Sequence, residues 1–265
     1  MTIKVAFLGV GKMGRAAAKA VMESVGFKVV AVFDTVNCGS DLGGLCGLKQ
    51  TGLTVCPVSE LASTLKRIRL DVVVDFTTAE ATLKNAKVVA EAGVNMVIGT
   101  TGFTDGQLAE LKKTLRNVGS VISPNMSVGV NVFWKLVGEA AADLKGYDIE
   151  VIEAHHRFKK DAPSGTALKA VKVICDAVGA DLKKDVVYGR HGEDCRRKTG
   201  DIGVLSIRGG DIVGEHTVMF TTLGERFEVR HVAHSRDSFA SGIPQAIKFI
   251  KGKKGLYDMA DVLGL

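Results

Sequence analysis

Between Glu153 and Leu168 the chain reads EAHHRFKKDAPSGTAL: two adjacent histidines, an arginine and two lysines, then a Pro-Ser-Gly-Thr helix start. Histidine exchanges protons near neutral pH, and lysine adds both an acid and a positive charge. Exposed amides at Gly165 and Thr166, set beside these cations, would hold a carboxylate. The plainer reading is an exposed basic loop in which Ser164 only caps a helix. A cationic loop that runs straight into a helix N-terminus favours the anion site.

A second constellation lies at the start of the chain. Leu8–Arg15 reads LGVGKMGR, so Gly9, Gly11 and Gly14 form a GxGxxG with Val10, Lys12 and Met13 between them. Gly9 permits a tight turn, Gly11 lets backbone approach a pyrophosphate, and Gly14 allows close helix–strand packing. The motif alone is weak, but here it follows an apolar β-rich run and opens a helical one. Asp34 lies 20 residues beyond Gly14, where a carboxylate would accept hydrogen bonds from an adenosine ribose. Its charge repels a 2′-phosphate, so NADH is expected to be preferred, with NADPH, helped by Lys12, as the alternative. Three further segments end predicted strands: Asp75-Phe76-Thr77, Gly99-Thr100-Thr101-Gly102 and Ser123-Pro124-Asn125-Met126. Ligands of open α/β sheets bind at that edge; ordinary turn chemistry is the alternative for each. Hydride from a nicotinamide, with protons and charge from a His/Lys loop, makes a reductase of a small anionic substrate.

The elements that must position these residues follow from periodicity. Near-continuous Val, Ile and Ala predict strands at Ile3–Leu8, Lys28–Asp34, Asp71–Phe76, Asn95–Ile98 and Ser120–Ile122. Helices are predicted between them at Met13–Ser24, Ala79–Ala92 and Asp105–Val118. Strands apolar on both faces and alternating with helices point to a doubly wound parallel sheet of Rossmann type. The glycine-rich stretch 39–52 reads as a mobile loop, either a flap or a plain connector. After Asn125 the pattern changes. A helix Val128–Leu144 precedes strands at Asp148–Ala154, Gly203–Arg208, Gly214–Thr222 and Arg226–His234, interrupted by a helix at Ser164–Val178. This reads as a second, α+β domain with a mixed or antiparallel sheet. The expected division is residues 1–126 for dinucleotide binding and 127–237 for substrate binding and oligomerisation. The C-terminal part, about 238–265, begins with a helix Ser238–Ile250 and is expected to pack back on the first domain.

Bulk properties narrow the classes. Apolar residues make up 46% and charged residues 24%, as in a soluble globular chain rather than a disordered one. The net charge of +6 is spread out, and its short clusters lack interleaved aromatics, so no nucleic-acid platform is expected. Five cysteines without a CxxC pair argue against zinc and against a disulfide framework, and no other metal site is expected. No run approaches ~18 apolar residues, and the N-terminus lacks the features of a signal peptide. A cytoplasmic enzyme without a membrane partner is the expectation.

At HHRFKKDAPSGTAL the chain resembles the 4-hydroxy-tetrahydrodipicolinate (dihydrodipicolinate) reductases. The resemblance extends through DFT at 75–77, GTTG at 99–102, PNMSVGVN at 124–131, RGGDIVGEH at 208–216 and the ending GLYDMADVLGL. It implies reduction of a cyclic imine dicarboxylate to tetrahydrodipicolinate in the diaminopimelate route to lysine. It implies His155 as proton donor or acceptor, Lys159 as proton donor, and His156, Gly165 and Thr166 on the substrate. It carries cofactor contacts to Gly9, Val10, Gly11, Lys12, Met13, Gly14, Asp34, Gly99, Thr100, Thr101, Ser123, Pro124, Asn125 and Met126. A homotetramer assembled through the second domain is implied as well. Two departures stand out: Leu8 occupies the position of the first glycine of the loop in many relatives, and Lys12 that of a common arginine. Amino-acid dehydrogenases of related architecture are the nearest rivals, but they lack the His/Lys signature. A redox-sensing binding protein would not need it.

Overall fold

The structure, a computed structural model describing residues 2–265, divides into two compact units. One unit comprises the chain up to Val128 together with Phe239–Leu265; the other is Gly129–Ser238.

In the first unit the order is β1 (Ile3–Leu8), α1 (Lys12–Met22), β2 (Phe27–Asp34), α2 (Leu42–Leu45), β3 (Cys56–Pro57), α3 (Leu61–Arg67), β4 (Val72–Asp75), α4 (Ala79–Glu91), β5 (Asn95–Ile98), α5 (Asp105–Leu115) and β6 (Gly119–Ile122). The second unit holds α6 (Val128–Asp143), β7 (Asp148–His155), α7 (Gly165–Val178), β8 (Val186–Tyr188), β9 (Ile202–Arg208), β10 (Gly214–Thr222) and β11 (Glu225–Ala233). The chain then returns to the first unit with α8 (Ile243–Ile250), β12 (Gly255–Tyr257) and α9 (Met259–Leu263).

The first sheet runs β12-β6-β5-β4-β1-β2-β3, with every neighbouring pair parallel. Its strands are apolar on both sides because both faces are covered. Val5 and Phe7 of β1 join one core with α1 and α8, while Ala6 and Leu8 join a second with α4 and α5. Helix α8 contributes Ile243, Ala246, Ile247 and Ile250, a helical stripe that is fully buried. Each isoleucine so buried stabilises the fold by roughly 1.5–3 kcal/mol. The strand order reverses about β1, so the loops after Leu8, Asp34, Asp75, Ile98 and Ile122 all leave the same edge. The candidate cofactor residues therefore share one rim of the sheet.

The second sheet runs β11-β10-β7-β9-β8, with β10 antiparallel to both neighbours and β7, β9 and β8 mutually parallel. Helices α6 and α7 cover one face. Phe133, Trp134, Val137, Val171 and Ile174 pack there on Val151, Val204, Val218 and Phe220. The other face carries Ile152, Leu205, Ile207 and Met219, of which Leu205 and Ile207 are 41% and 51% exposed.

The glycine-rich stretch is more built than a loop. Asp41 caps α2 and accepts hydrogen bonds from the amides of Gly44, Thr51 and Gly52, which ties its two ends together. The predicted helix Ser238–Ile250 is instead a 3-10 turn, Arg236–Ala240, followed by α8. The Gly242 amide donates to the Met126 carbonyl, and Pro244 fits the first turn of α8. The strands β3, β8 and β12 had no sequence signal, since two or three residues offer no alternation to read.

Candidate functional site

The glycine loop is shaped by contacts within the first unit. Gly9 has φ +80, and a Cβ there would lie 2.7 Å from the Phe76 carbonyl oxygen. A Cβ on Gly14 would overlap the Gly9 carbonyl, so turn and helix can approach only as glycines. Gly11 differs: its missing Cβ faces open space. Gly11 is also the N-cap of α1, and no side chain caps that helix. The first-turn amides of Lys12, Met13 and Gly14 are thus left to water or an anion. Lys12 is exposed beside them. These features fit a dinucleotide pyrophosphate.

Asp34 joins this loop to the end of β2. Its carboxylate accepts from the amides of Val10 (2.8 Å), Thr35 (2.6 Å) and Val36 (3.1 Å) and from Asn37 Nδ2 (2.9 Å). Burial raises its pKa, but the bonds from Asn37, Val36, Val10 and Thr35 outweigh that and hold it below the usual aspartate value. Arg15 ties the same corner together, donating to the Val10 carbonyl and to Asn37 Oδ1. A ribose hydroxyl arriving at Asp34 would share or displace one of the existing donors.

The other three rim segments differ in kind. Asp75 is fully buried, and its Oδ1 accepts from the Thr77 amide and from the hydroxyls of Thr77, Thr82 and Thr100; Asn85 donates to Oδ2. This knot fixes the DFT turn against the Thr100 hydroxyl, which also accepts from the Thr77 amide, while Thr101 is exposed next to it. A Cβ on Gly99 would overlap the Phe76 ring, so packing alone already requires that glycine. In the last segment Ser123 Oγ donates to the Asn125 carbonyl, and Asn125 Oδ1 accepts from the Ser127 amide. Pro124 is exposed, whereas Met126 is buried in the core, with its carbonyl taken by Gly242.

In the second unit, β7 ends in alternation. Ile149, Val151, Glu153 and His155 all point to the buried side. His155 Nδ1 lies 2.5 Å from Glu153 Oε2. Arg208, at the end of the neighbouring β9, grips the same carboxylate with both terminal nitrogens, at 2.8 and 2.7 Å. The Ser164 amide donates to Glu153 Oε1 at 3.1 Å. Burial raises the Glu153 pKa, but Arg208, His155 and Ser206 outweigh it and take it down to about 2. The His155 pKa is lowered, first by burial, against the opposing pull of Glu153; Lys159 and Arg208 add to the lowering.

Ser164 is the N-cap of α7, its Oγ accepting from the Ala167 amide, and the same oxygen contacts His216 Nε2 at 3.0 Å. Burial drives the His216 pKa down to about 3, so this imidazole is neutral; its ring meets His155 edge-on at 5.2 Å. Lys159 pairs with Asp161 at 2.9 Å, and its amide donates to the His156 carbonyl. His156 Nδ1 is buried without a hydrogen-bond partner among the described residues. Gly165, in the first turn of α7, is exposed, and the Thr166 carbonyl accepts from Trp134. Within this unit His155, His156, Lys159, Gly165 and Thr166 thus fall on one loop and the helix that follows it.

Reading the sequence passed over Glu153, Arg208 and His216 as parts of this cluster. One signal was available for Glu153: a carboxylate in phase with Ile149 and Val151 on a strand must be buried and therefore paired. Nothing local pointed to its partner, which lies 55 residues away.

Comparison with known proteins bears on both units. Residues 3–126 match the family model "Dihydrodipicolinate reductase, N-terminus", and residues 129–263 match "Dihydrodipicolinate reductase, C-terminus". The chain is 48% identical over 267 residues to the 4-hydroxy-tetrahydrodipicolinate reductase of Methanosarcina mazei, covering 99% of this chain and 100% of that protein. It is 46% identical to the enzyme of the same name from Methanocaldococcus jannaschii, covering 99% and 98%. Among solved structures it resembles a dipicolinate-bound dihydrodipicolinate reductase from Paenisporosarcina sp. TG-14, with TM-score 0.77, 30% identity and coverage of 97% and 98%.

Proposed function

The chain belongs to the dihydrodipicolinate reductase family, and from that premise we propose how its residues divide the work. The protein is an oxidoreductase that reduces 4-hydroxy-tetrahydrodipicolinate to tetrahydrodipicolinate with a nicotinamide cofactor, a step of the diaminopimelate route to lysine. Substrate, reduced cofactor and one proton yield tetrahydrodipicolinate, oxidised cofactor and water.

In this reading the first unit binds the dinucleotide. Gly9–Gly14 takes the pyrophosphate on the uncapped start of α1, and Asp34 takes the adenosine ribose. The backbone of Gly99–Thr101 and Ser123–Met126 borders the nicotinamide. The reduced nicotinamide, when bound, supplies the hydride. NADH is preferred over NADPH, because the ionised Asp34 stands where a 2′-phosphate would sit. The second unit binds a small dicarboxylate, the class of ligand that the Paenisporosarcina reductase is described as holding. The amides of Gly165 and Thr166 and the His156 ring receive its carboxylates. Lys159 leaves Asp161 to protonate the departing hydroxyl, and His155 exchanges a proton with the ring beside it. The observation that carries this reading is the orphaned, buried Nδ1 of His156 in the loop that leads into α7, an unsatisfied group that a bound carboxylate would satisfy.

We further read the assembly as a homotetramer in the cytoplasm. Support comes from Leu205 and Ile207, exposed on the helix-free face of the second sheet, and from five cysteines that are all free thiols.

Two measurements test the reading. With freshly generated substrate, kcat/KM is expected to be higher with NADH than with NADPH; the reverse order removes the Asp34 argument. Lys159→Ala is expected to lower kcat about 10²–10⁴-fold while NADH still binds, followed by its fluorescence. Unchanged turnover would end the assignment of Lys159.

A further inference from the structure

We propose that Glu153 is a positioning residue for this reaction: clamped by Arg208 and the Ser164 amide, its carboxylate holds the Nδ1–H of His155 and so dedicates Nε2 to proton exchange with the substrate. The proposal deepens the reading above and rests on it only for the role of His155, not for the geometry.

Glu153 is fully buried, so its charge persists only because donors surround it. Arg208 supplies two, His155 one and the Ser164 amide one. An ionised carboxylate accepts and never donates. The short contact with His155 therefore requires the proton to sit on Nδ1. Nε2 carries no protein hydrogen bond among the described residues, which leaves it as the nitrogen that gains and loses a proton. Arg208 does more than neutralise Glu153. Its Nη2 also donates to the Asp161 carbonyl, so it ties the carboxylate to the loop that carries Lys159. Replacing the clamp by a neutral amide would let the ring turn over or change tautomer.

The groups facing His155 act in opposite directions. Glu153 favours the charged ring, while burial, Lys159 and Arg208 oppose it. His216, edge-on at 5.2 Å, is neutral and adds no charge. Asp161, paired to Lys159, offsets part of that lysine's field. Among the described residues Glu153 is thus the one close group that supports protonation of His155, and a doubly negative substrate would act in the same sense. Unliganded His155 is neutral near pH 7 and ready to take a proton on Nε2 when the dianion arrives.

The test reads the imidazole directly. Two-dimensional ¹H–¹⁵N correlation through the ring protons of the wild-type enzyme, without ligands, is expected to show a protonated Nδ1 and a bare Nε2 for His155. Glu153→Gln is expected to populate the other tautomer, to move the His155 titration to lower pH and to reduce kcat about 10²-fold with little change in NADH affinity. A wild-type spectrum with the proton on Nε2 overturns the proposal without requiring any variant to fold. A folded Glu153→Gln enzyme with the wild-type tautomer and titration also overturns it, whatever its turnover. Correct tautomers in a protein that does not reduce the dicarboxylate would count against the function and leave the positioning of His155 standing.

Discussion

Asp34 and Glu153 are both buried carboxylates at or near strand ends, Asp34 in the parallel sheet and Glu153 in the mixed one, and both are held ionised, yet by opposite means. Asp34 is stabilised by neutral donors: the Thr35 and Val36 amides of its own turn, the Val10 amide of the glycine loop, and one asparagine. Glu153 is stabilised by a guanidinium and an imidazole brought from a neighbouring strand and from its own strand end. A cradle of amides is made by backbone shape, so its weak points are glycines. A cluster of charges is made by side chains, so its weak points are the partners themselves. The first unit should therefore fail through sterics, and the second through protonation and lost charge.

Acid should act first on the Glu153 cluster. The folded pKa of Glu153, about 2, lies below its ordinary value of 4.5. The stability it contributes is thus complete above pH 4.5 and is lost as pH falls from there towards 2. The amount is on the order of 3 kcal/mol at most, by linkage. Acid unfolding followed by circular dichroism should begin to steepen below pH 4.5. A Glu153→Gln/Arg208→Met double variant, which removes the charges together, should lose that part of the slope. An unchanged acid limb would mean that the cluster contributes nothing through its ionisation.

Sterics come next. Gly14→Ala forces a methyl into the Gly9 carbonyl and should cost about 1–3 kcal/mol in thermal or urea unfolding. Gly11→Ala meets no protein atom, so it should leave stability nearly unchanged and raise only the KM for the cofactor. Equal unfolding midpoints for the two variants would break the assignment of Gly14 to packing and Gly11 to the ligand. On the helix-free face of the second sheet, Leu205→Glu should lower the association state seen by sedimentation while the chain stays folded; an unaltered state would place assembly elsewhere. The smallest effect is a control for buried against exposed charge. Lys172→Ala breaks an exposed pair with Asp176 on α7 and should shift stability by less than ~0.5 kcal/mol.

Much of the first unit was legible from the chain because its signals are local. Continuous apolar runs in Ile3–Leu8 and Asn95–Ile98 could be read as strands covered on both faces, and GxGxxG follows such a run directly. The glycine-rich stretch misled, since its order comes from Asp41 reaching Thr51 and Gly52, a contact with no periodicity. Helix α8 was misplaced at its start because the Gly242–Met126 contact, between segments far apart in the chain, sets where the helix can begin. In the loop that follows β7, the histidines and lysines were visible as types, but their surroundings were not.

The order of residues by itself determined which groups could act: His155, Lys159, the glycine loop and Asp34, along with the alternation that carries them. Which nitrogen of His155 is free, and which carboxylate stays charged, was decided only when β9 came to lie beside β7. Backbone propensities and glycine geometry act over a few residues and survive in the sequence. The energy of a buried charge depends on what surrounds it in space, and Arg208 reaches Glu153 only through the folded sheet.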